Sequence, residues 1–154
     1  MDRRQRVEDA VLRALERSRA VALEEAQTLT SAKTVELAEK EATRDELARA
    51  REAAYEARRQ QVTGNGTFSV QHLYWNHQYA ASQLAQEQAA RALCELAQTA
   101  LRQSQEDTLR RLEELRVVEK LRARRQAEAL RVSGRRNQER MDELGLIKSW
   151  QTTS

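Results

Sequence analysis

The chain has 154 residues, of which 33% are charged and only 4% aromatic. This composition leaves too little bulky apolar material for an ordinary globular core. The abundant Ala, Leu, Glu, Gln and Arg favour helix. Disorder of the free chain is the competing interpretation, because charge is high and hydrophobicity is low. The absence of proline and the regular apolar spacing favour helix over disorder.

The sequence also argues against a membrane-spanning protein and against a secreted one. No apolar run approaches the roughly 18 to 20 residues that cross a bilayer, and charged residues follow Met1 at once where a signal peptide would have its apolar core. We therefore expect a cytoplasmic protein. Cys94 is the only cysteine, which excludes an internal disulfide and favours a packing role on an alanine-rich helix.

One short stretch, TGNGT at 63–67, separates two proline-free arms of helical composition. A single break of this kind predicts an all-α fold, a long antiparallel two-helix coiled-coil hairpin with a C-terminal helical overhang. Folding about residue 66 places residue i of the first arm opposite about 132 − i of the second, so the chain after about Leu130 overhangs. The predicted single domain comprises an arm at 3–62, a loop at 63–68, an arm at 69–144 and a tail at 145–154.

The first arm shows the 3,4 apolar spacing of a coiled coil in two stretches whose registers differ. The change of register predicts a stutter between the two stretches. The predicted seam residues are Val11, Leu15, Ser18, Ala22, Leu29 and Ala32, followed by Leu47, Ala50, Ala54, Ala57 and Gln61.

The loop carries the clearest local signals. Ser69 is predicted to be the N-cap of the second arm, with its hydroxyl accepting a hydrogen bond from a backbone amide of the first turn. Phe68 is predicted to pack against Leu73 as a hydrophobic staple. Gly64, Asn65 and Gly66 are expected to adopt the left-handed conformation that ends the first arm.

The second arm has three apolar runs, with a slip of register between them. Gly134 is expected to be a soft spot and Gly145 to mark the end of the helix. The predicted runs are Leu73, His77, Ala80 and Leu84, then Leu93, Leu96 and Ala100, then Leu101, Thr108, Leu112 and Leu115.

Charge is distributed unevenly along the chain. Residues 1–20 sum to +2 and residues 110–140 to +6, whereas residues 21–109 sum to −4. The hairpin would bring both basic segments together, and a basic helix end can bind nucleic acid, an acidic membrane or an acidic protein cavity. The plain alternative is a solvated face with Glu–Arg pairs three or four residues apart. Nucleic-acid binding is disfavoured because the aromatic residues crowd the opposite end.

Two helices share only one seam, and near the loop Leu73 and His77 are predicted to occupy it. This placement would turn some of Tyr74, Trp75 and Tyr79 toward solvent. Exposed aromatic side chains are typical interface anchors, and the alternative is self-association or crowding around Phe68. We predict no enzyme and no cofactor: His72 and His77 are five residues apart and do not share a helix face well, and the GNG loop lacks the lysine and hydroxyl of a P-loop. No metal-ligand spacing is present either.

The GNG-type loop, the Phe68–Ser69 helix start and the arginine-rich segment VEKLRARRQAEALRVSGRRNQERMDELG at 117–145 together resemble one family. That family comprises the flagellar export protein FliJ and its injectisome, SctO-like counterparts, the stalk proteins of type III secretion. The resemblance is best over Glu119 to Leu144 and looser over Gly64 to Leu84.

The resemblance implies an antiparallel coiled coil whose helix ends sit in the pore of a hexameric export ATPase, at the cytoplasmic face of the inner membrane. The hairpin side would reach the membrane export gate, and the family is also implicated in escorting secretion chaperones. The implied ATPase-binding residues are Arg4, Arg122, Arg125, Arg135, Arg136, Met141 and Leu144. The implied gate-binding residues are Trp75, Tyr79, Leu84 and Arg91.

Two other functions remain open at this point. The first is a structural coiled-coil scaffold, unrelated to secretion, that dimerises through its arms. The second is a basic-helix nucleic-acid binder. The residues do not distinguish a flagellar protein from an injectisome protein, because neither the loop nor the Met141–Asp142–Glu143 ending is exclusive to one of the two systems.

Overall fold

The computed structural model describes residues 3–64 and 69–152, and side chains for 6–64 and 69–148. Within these ranges the chain forms two helices, α1 (Arg3–Thr63) and α2 (Val70–Thr152), and no strand. The helices pack against each other in antiparallel directions. The predicted all-α two-helix hairpin is therefore confirmed.

The start of α2 is fixed by Ser69. Its hydroxyl accepts a hydrogen bond from the amide of Gln71 (3.2 Å), and its carbonyl accepts one from the amide of Leu73 (3.3 Å). The predicted N-cap is thus confirmed, and such a cap typically contributes about 1 kcal/mol. The staple predicted for Phe68 lies outside the described residues.

The end of α1 differs from the prediction. Gly64 does not adopt a positive φ; instead its amide donates to the carbonyl of Gln60 (3.1 Å). The helical hydrogen-bonding pattern therefore continues through Gly64, and the left-handed conformation predicted there is wrong. Asn65 and Gly66 lie outside the described residues.

The end of α2 also differs, because the helix runs through Gly134 and Gly145 to Thr152. The expected end at Leu144 is wrong, and the residues predicted as a tail begin inside the helix. A single glycine costs a helix only about 1 kcal/mol relative to alanine. The Arg, Gln, Glu, Met and Leu residues on either side are strong helix formers and offset that cost.

We expect Gly134→Ala and Gly145→Ala each to stabilise α2 locally by about 0.5 to 1 kcal/mol. At both positions an added Cβ would meet no atom within 4 Å, so the new methyl group causes no clash. Amide hydrogen exchange over residues 131–148 should slow in both variants. The exposed Ala127→Gly is the reverse control and should speed exchange, and unchanged rates in all three variants would contradict the prediction.

The chain divides into two compact units, each containing part of both helices. Unit 1 comprises Met1–Leu23 with Arg110–Ser154, and unit 2 comprises Glu24–Leu109. In the sequence, unit 1 has 18 Lys or Arg against 11 Asp or Glu, a net +7, whereas unit 2 has 9 against 13, a net −4. The units therefore differ in the sign of their charge.

The seam between the helices follows an uninterrupted 3,4 spacing. In unit 1 the buried and half-buried seam residues are Leu12, Glu16, Arg19 and Leu23 of α1 and Arg111, Leu115, Val118 and Arg122 of α2. In unit 2 they are Ala26, Thr30, Lys33, Leu37, Lys40, Arg44 and Leu47 of α1 and Gln83, Glu87, Ala90, Cys94, Ala97, Leu101, Ser104 and Thr108 of α2.

Most of the predicted seam is wrong, and the predicted stutter and slips of register are absent from these runs. Val11, Leu15 and Leu29 of the first predicted stretch are exposed. Leu73 and His77 of the second arm, which were placed on the seam, are exposed as well. The prediction followed apolar residues, whereas about half of the seam is charged or hydroxyl-bearing. Four predicted residues do lie on the observed seam: Leu47, Leu101, Thr108 and Leu115. The half-buried Ala54, seven residues after Leu47, continues the spacing of the seam in α1.

Polar seam residues are paired across the helices. In unit 2 the hydroxyl of Thr30 lies 2.7 Å from that of Ser104 and 3.0 Å from that of Thr108. In unit 1 Arg19 donates to Glu114 at 2.5 Å. The Thr30–Ser104 and Arg19–Glu114 pairs place residue i of α1 opposite about 134 − i of α2, two residues from the predicted register. Paired polar groups on a coiled-coil seam specify register at some cost in stability.

The predicted overhang is confirmed within unit 1. Every residue from Leu130 to Lys148 is exposed. We call this stretch of α2 the extension; at its start, Val132 still lines a small cleft together with Asp9 and Leu12 of α1.

Candidate interaction surfaces

The basic residues of unit 1 fall into two groups. Arg122 and Arg125 lie beside α1, where Arg122 donates to Glu16 at 2.6 Å and Arg125 to Glu8 at 3.4 Å. The Arg122 side chain is half-buried, whereas that of Arg125 is exposed. The Arg122–Glu16 pair therefore belongs to the seam. The Arg125–Glu8 pair is exposed and contributes at most about 1 kcal/mol to the free energy of unfolding.

The second group lies on the extension. Arg135, Arg136, Met141 and Leu144 are all exposed there, and Met141 and Leu144, three residues apart, share a face of the helix. The structure thus brings four of the seven predicted ATPase-binding residues together on one exposed stretch of α2. Arg4 lies in α1, but its side chain is outside the described residues.

Sequence reasoning missed two apolar residues of the extension. Leu146 and Ile147 are more than half exposed and extend the apolar surface beyond Leu144. They were assigned to the tail because Gly145 was expected to end the helix.

Aromatic side chains form an exposed cluster at the start of α2. Trp75 is 70% exposed and Tyr79 56% exposed. Tyr74 and Trp75 meet edge to face with ring centroids 6.4 Å apart, and the Tyr79 hydroxyl accepts a hydrogen bond from Gln83 (2.9 Å). The expectation that aromatic rings face solvent here is confirmed.

A cleft of about 840 Å³ separates α1 and α2 in unit 2, beside this cluster. Small side chains from both helices, including Ala54, Ala57 and Ala80, leave the space open. Tyr55, Tyr79 and Leu84 supply its larger apolar surfaces. Leu84, a predicted gate-binding residue, therefore lines the cleft.

Glu87 lies at the border of this cleft and is only 1% exposed. Arg91 donates to its Oε1 at 2.6 Å, and Nη1 of Arg51 lies 2.7 Å from its Oε2. The Arg51 contact is an ion pair without hydrogen-bond alignment, since Oε2 has no hydrogen-bond partner. Arg91, a predicted gate-binding residue, is thus engaged within its own chain. Sequence reasoning missed Glu87, because the apolar runs placed the seam on other residues of α2.

Two other kinds of site are absent from the described residues. Neither α1 nor α2 is long and apolar enough, over the residues described, to cross a membrane. Among the same residues no group of three His, Cys, Asp or Glu is placed to hold a metal ion.

The fold and these surfaces define the class of the protein as an antiparallel two-helix coiled coil with unlike charges on its two units. No family model, curated protein or solved structure matches the chain. The resemblance to export stalk proteins therefore depends on the residues quoted above.

Proposed function

We propose that this chain is a central stalk of a bacterial type III protein export apparatus, flagellar or injectisome. Unit 1 binds the hexameric export ATPase, and the aromatic cluster of unit 2 binds the membrane export gate. Escort of secretion chaperones is a further role that the resemblance implies. The protein acts by binding and performs no catalysis.

The observation that carries this proposal is that every side chain of the extension is exposed. A lone helix in water is marginal unless a partner covers its apolar residues, and here Leu130, Met141 and Ile147 are all more than half exposed. A ring-shaped partner can contact all faces of one helix at once. The net charge of unit 1, +7, favours a partner whose cavity is acidic.

The second candidate function is a structural coiled-coil scaffold. It is favoured by the exposed apolar residues on the outside of unit 1, among them Val11, Leu15, Val117 and Leu121. Such a scaffold would associate with itself and would have no effect on an ATPase.

The experiment that tests the stalk proposal measures ATP hydrolysis by a purified export ATPase with the full chain added. We expect the chain to raise the rate by favouring the assembled ring, and we expect Arg135→Gln with Arg136→Gln to abolish most of that rise. Salt should weaken the interaction, as expected for screened charge contacts. The loss should occur without loss of helicity, because both side chains are exposed.

The matched control is Arg59→Gln with Arg102→Gln, which removes the same charge from exposed positions of unit 2. This control should raise the rate of ATP hydrolysis as much as the original chain does. Equal loss in both double variants would show that only total charge matters. Concentration-dependent self-association without any stimulation would support the scaffold, and tight salt-sensitive binding to duplex DNA would support the nucleic-acid binder.

A further inference from the structure

One side of unit 2 combines exposed leucines with acidic residues. Its members each immediately precede a seam residue, and in an antiparallel pair such positions of both helices lie on the same side. We call this side the acidic flank and define it by Leu29, Glu36, Glu39 and Glu46 of α1 and Leu93 and Leu96 of α2.

The leucines of the acidic flank are exposed to an unusual degree for a coiled coil. Leu29 is 54% exposed, Leu93 49% and Leu96 67%. Each was expected on the seam from its apolar spacing, so this side has the periodicity of a helix-packing surface without being buried. Leu93 and Leu96 lie three residues apart and share one face of α2, and exposed apolar surface rimmed by polar residues marks interaction sites.

The charge of the acidic flank has one sign. In residues 24–109, no Lys or Arg occupies a position immediately before a seam residue of either helix, whereas five acidic residues do: Glu25, Glu36, Glu39, Glu46 and Asp107. One cation reaches the flank from the seam, since the Lys33 amino group donates to Glu36 at 2.8 Å. That hydrogen bond and the charge of Lys33 lower the pKa of Glu36, and the charge of Lys40 adds to the shift.

Glu36 therefore stays ionised and paired near neutral pH. The carboxylates of Glu39 and Glu46 are exposed and have no ion-pair partner among the described residues. A binding partner would meet these two charges first.

We propose that the acidic flank binds a basic amphipathic helix of another protein, whose apolar stripe covers the leucines and whose Lys or Arg residues pair with Glu39 and Glu46. Helices recognise one another by apolar residues at such spacing, and charges beside the stripe select the partner. A second copy bound through the same flank would place carboxylates against carboxylates. An anionic membrane surface would be repelled for the same reason. The proposal does not depend on the export function.

A model peptide tests this proposal with the full chain. The probe is a fluorescently labelled synthetic helix of about three heptads, with leucine on one face and lysine beside it, and binding is followed by fluorescence anisotropy. We expect Leu93→Gln with Leu96→Gln to weaken binding about tenfold, and Glu39→Lys with Glu46→Lys to weaken it by at least as much. All four side chains are exposed, so the chain should stay folded.

Matched controls on the other sides of unit 2 separate this site from general charge attraction. One control is the single variant Leu109→Gln, and the other is the double variant Glu95→Lys with Glu106→Lys; all three residues are exposed. Each control variant should alter the dissociation constant for the peptide less than about threefold. Equal weakening by the controls, or no binding at all, would overturn the proposal. Self-association that Leu93→Gln with Leu96→Gln abolishes would overturn it too, by making a second copy the occupant.

Discussion

Replacing Glu87 by glutamine is expected to lower the free energy of unfolding by about 3 kcal/mol, although the two side chains have nearly the same shape. The carboxylate is the only described side chain less than 2% exposed, and it balances the charges of Arg51 and Arg91. The amide cannot balance two guanidinium groups, and its NH2 group would face a nitrogen donor on one side. Urea unfolding followed by circular dichroism measures the change.

Two control variants sharpen this result. Glu95→Gln makes the same chemical change at an exposed position of α2 and should alter stability by less than about 0.5 kcal/mol. Glu87→Leu should cost less than Glu87→Gln, because the partly exposed arginines can turn to water and an apolar residue leaves no polar group unpaired. If glutamine is tolerated without loss, the ion pairs at Glu87 do not stabilise the hairpin.

If the chain is the export stalk proposed above, replacing Trp75 and Tyr79 together by alanine is expected to stop protein export nearly completely while stimulation of the ATPase stays near normal. Both rings are more than half exposed, so they contribute little to the seam and are free to anchor a partner. Loss of one well-buried aromatic anchor typically costs 2 kcal/mol or more, and two such losses exceed what a transient contact tolerates. The measurement is an export assay in cells, paired with ATP hydrolysis in vitro.

The control for this prediction is Val35→Ala with Leu109→Ala, which removes exposed apolar surface elsewhere in unit 2 and should leave export intact. The melting temperature of the aromatic double variant should match that of the original chain within a few degrees. If the variant unfolds, or loses ATPase stimulation together with export, the aromatic residues stabilise the hairpin and do not bind the gate.

The features that the sequence predicted correctly all have a local chemical cause. The single break predicted the two-helix hairpin, the Ser69 hydroxyl predicted the cap, and arm lengths predicted the overhang after Leu130. The exposure of Trp75 and Tyr79 followed from the lack of room on a two-helix seam. The first three inferences did not require knowing which face of each helix is buried. The exposure of the aromatic residues was inferred with Leu73 and His77 on the seam, and it holds although both of these are exposed.

The seam could not be predicted in the same way, because apolar spacing is a poor guide where buried positions are polar. Thr30, Lys33, Glu87 and Ser104 lie on the seam since each can reach a partner or extend its charged end to water. The leucines one position earlier, such as Leu29, gave the stronger apolar signal and drew the prediction to the wrong face. The Glu87 ion pairs were missed for the same reason. The helix beyond Gly145 was missed because the glycine was given more weight than the helix-forming residues around it.

The pairing of Thr30 with Ser104 and Thr108 also limits how the length of this protein can change. Deleting one heptad from α1 alone, for example residues 27–33, would set each polar side chain before the deletion, such as Arg19, against a residue seven positions away from its partner. A matching loss from α2, such as residues 101–107, would restore the alignment. Insertions and deletions among relatives of this chain should therefore occur in pairs, one in each helix, at positions whose numbers add to about 134.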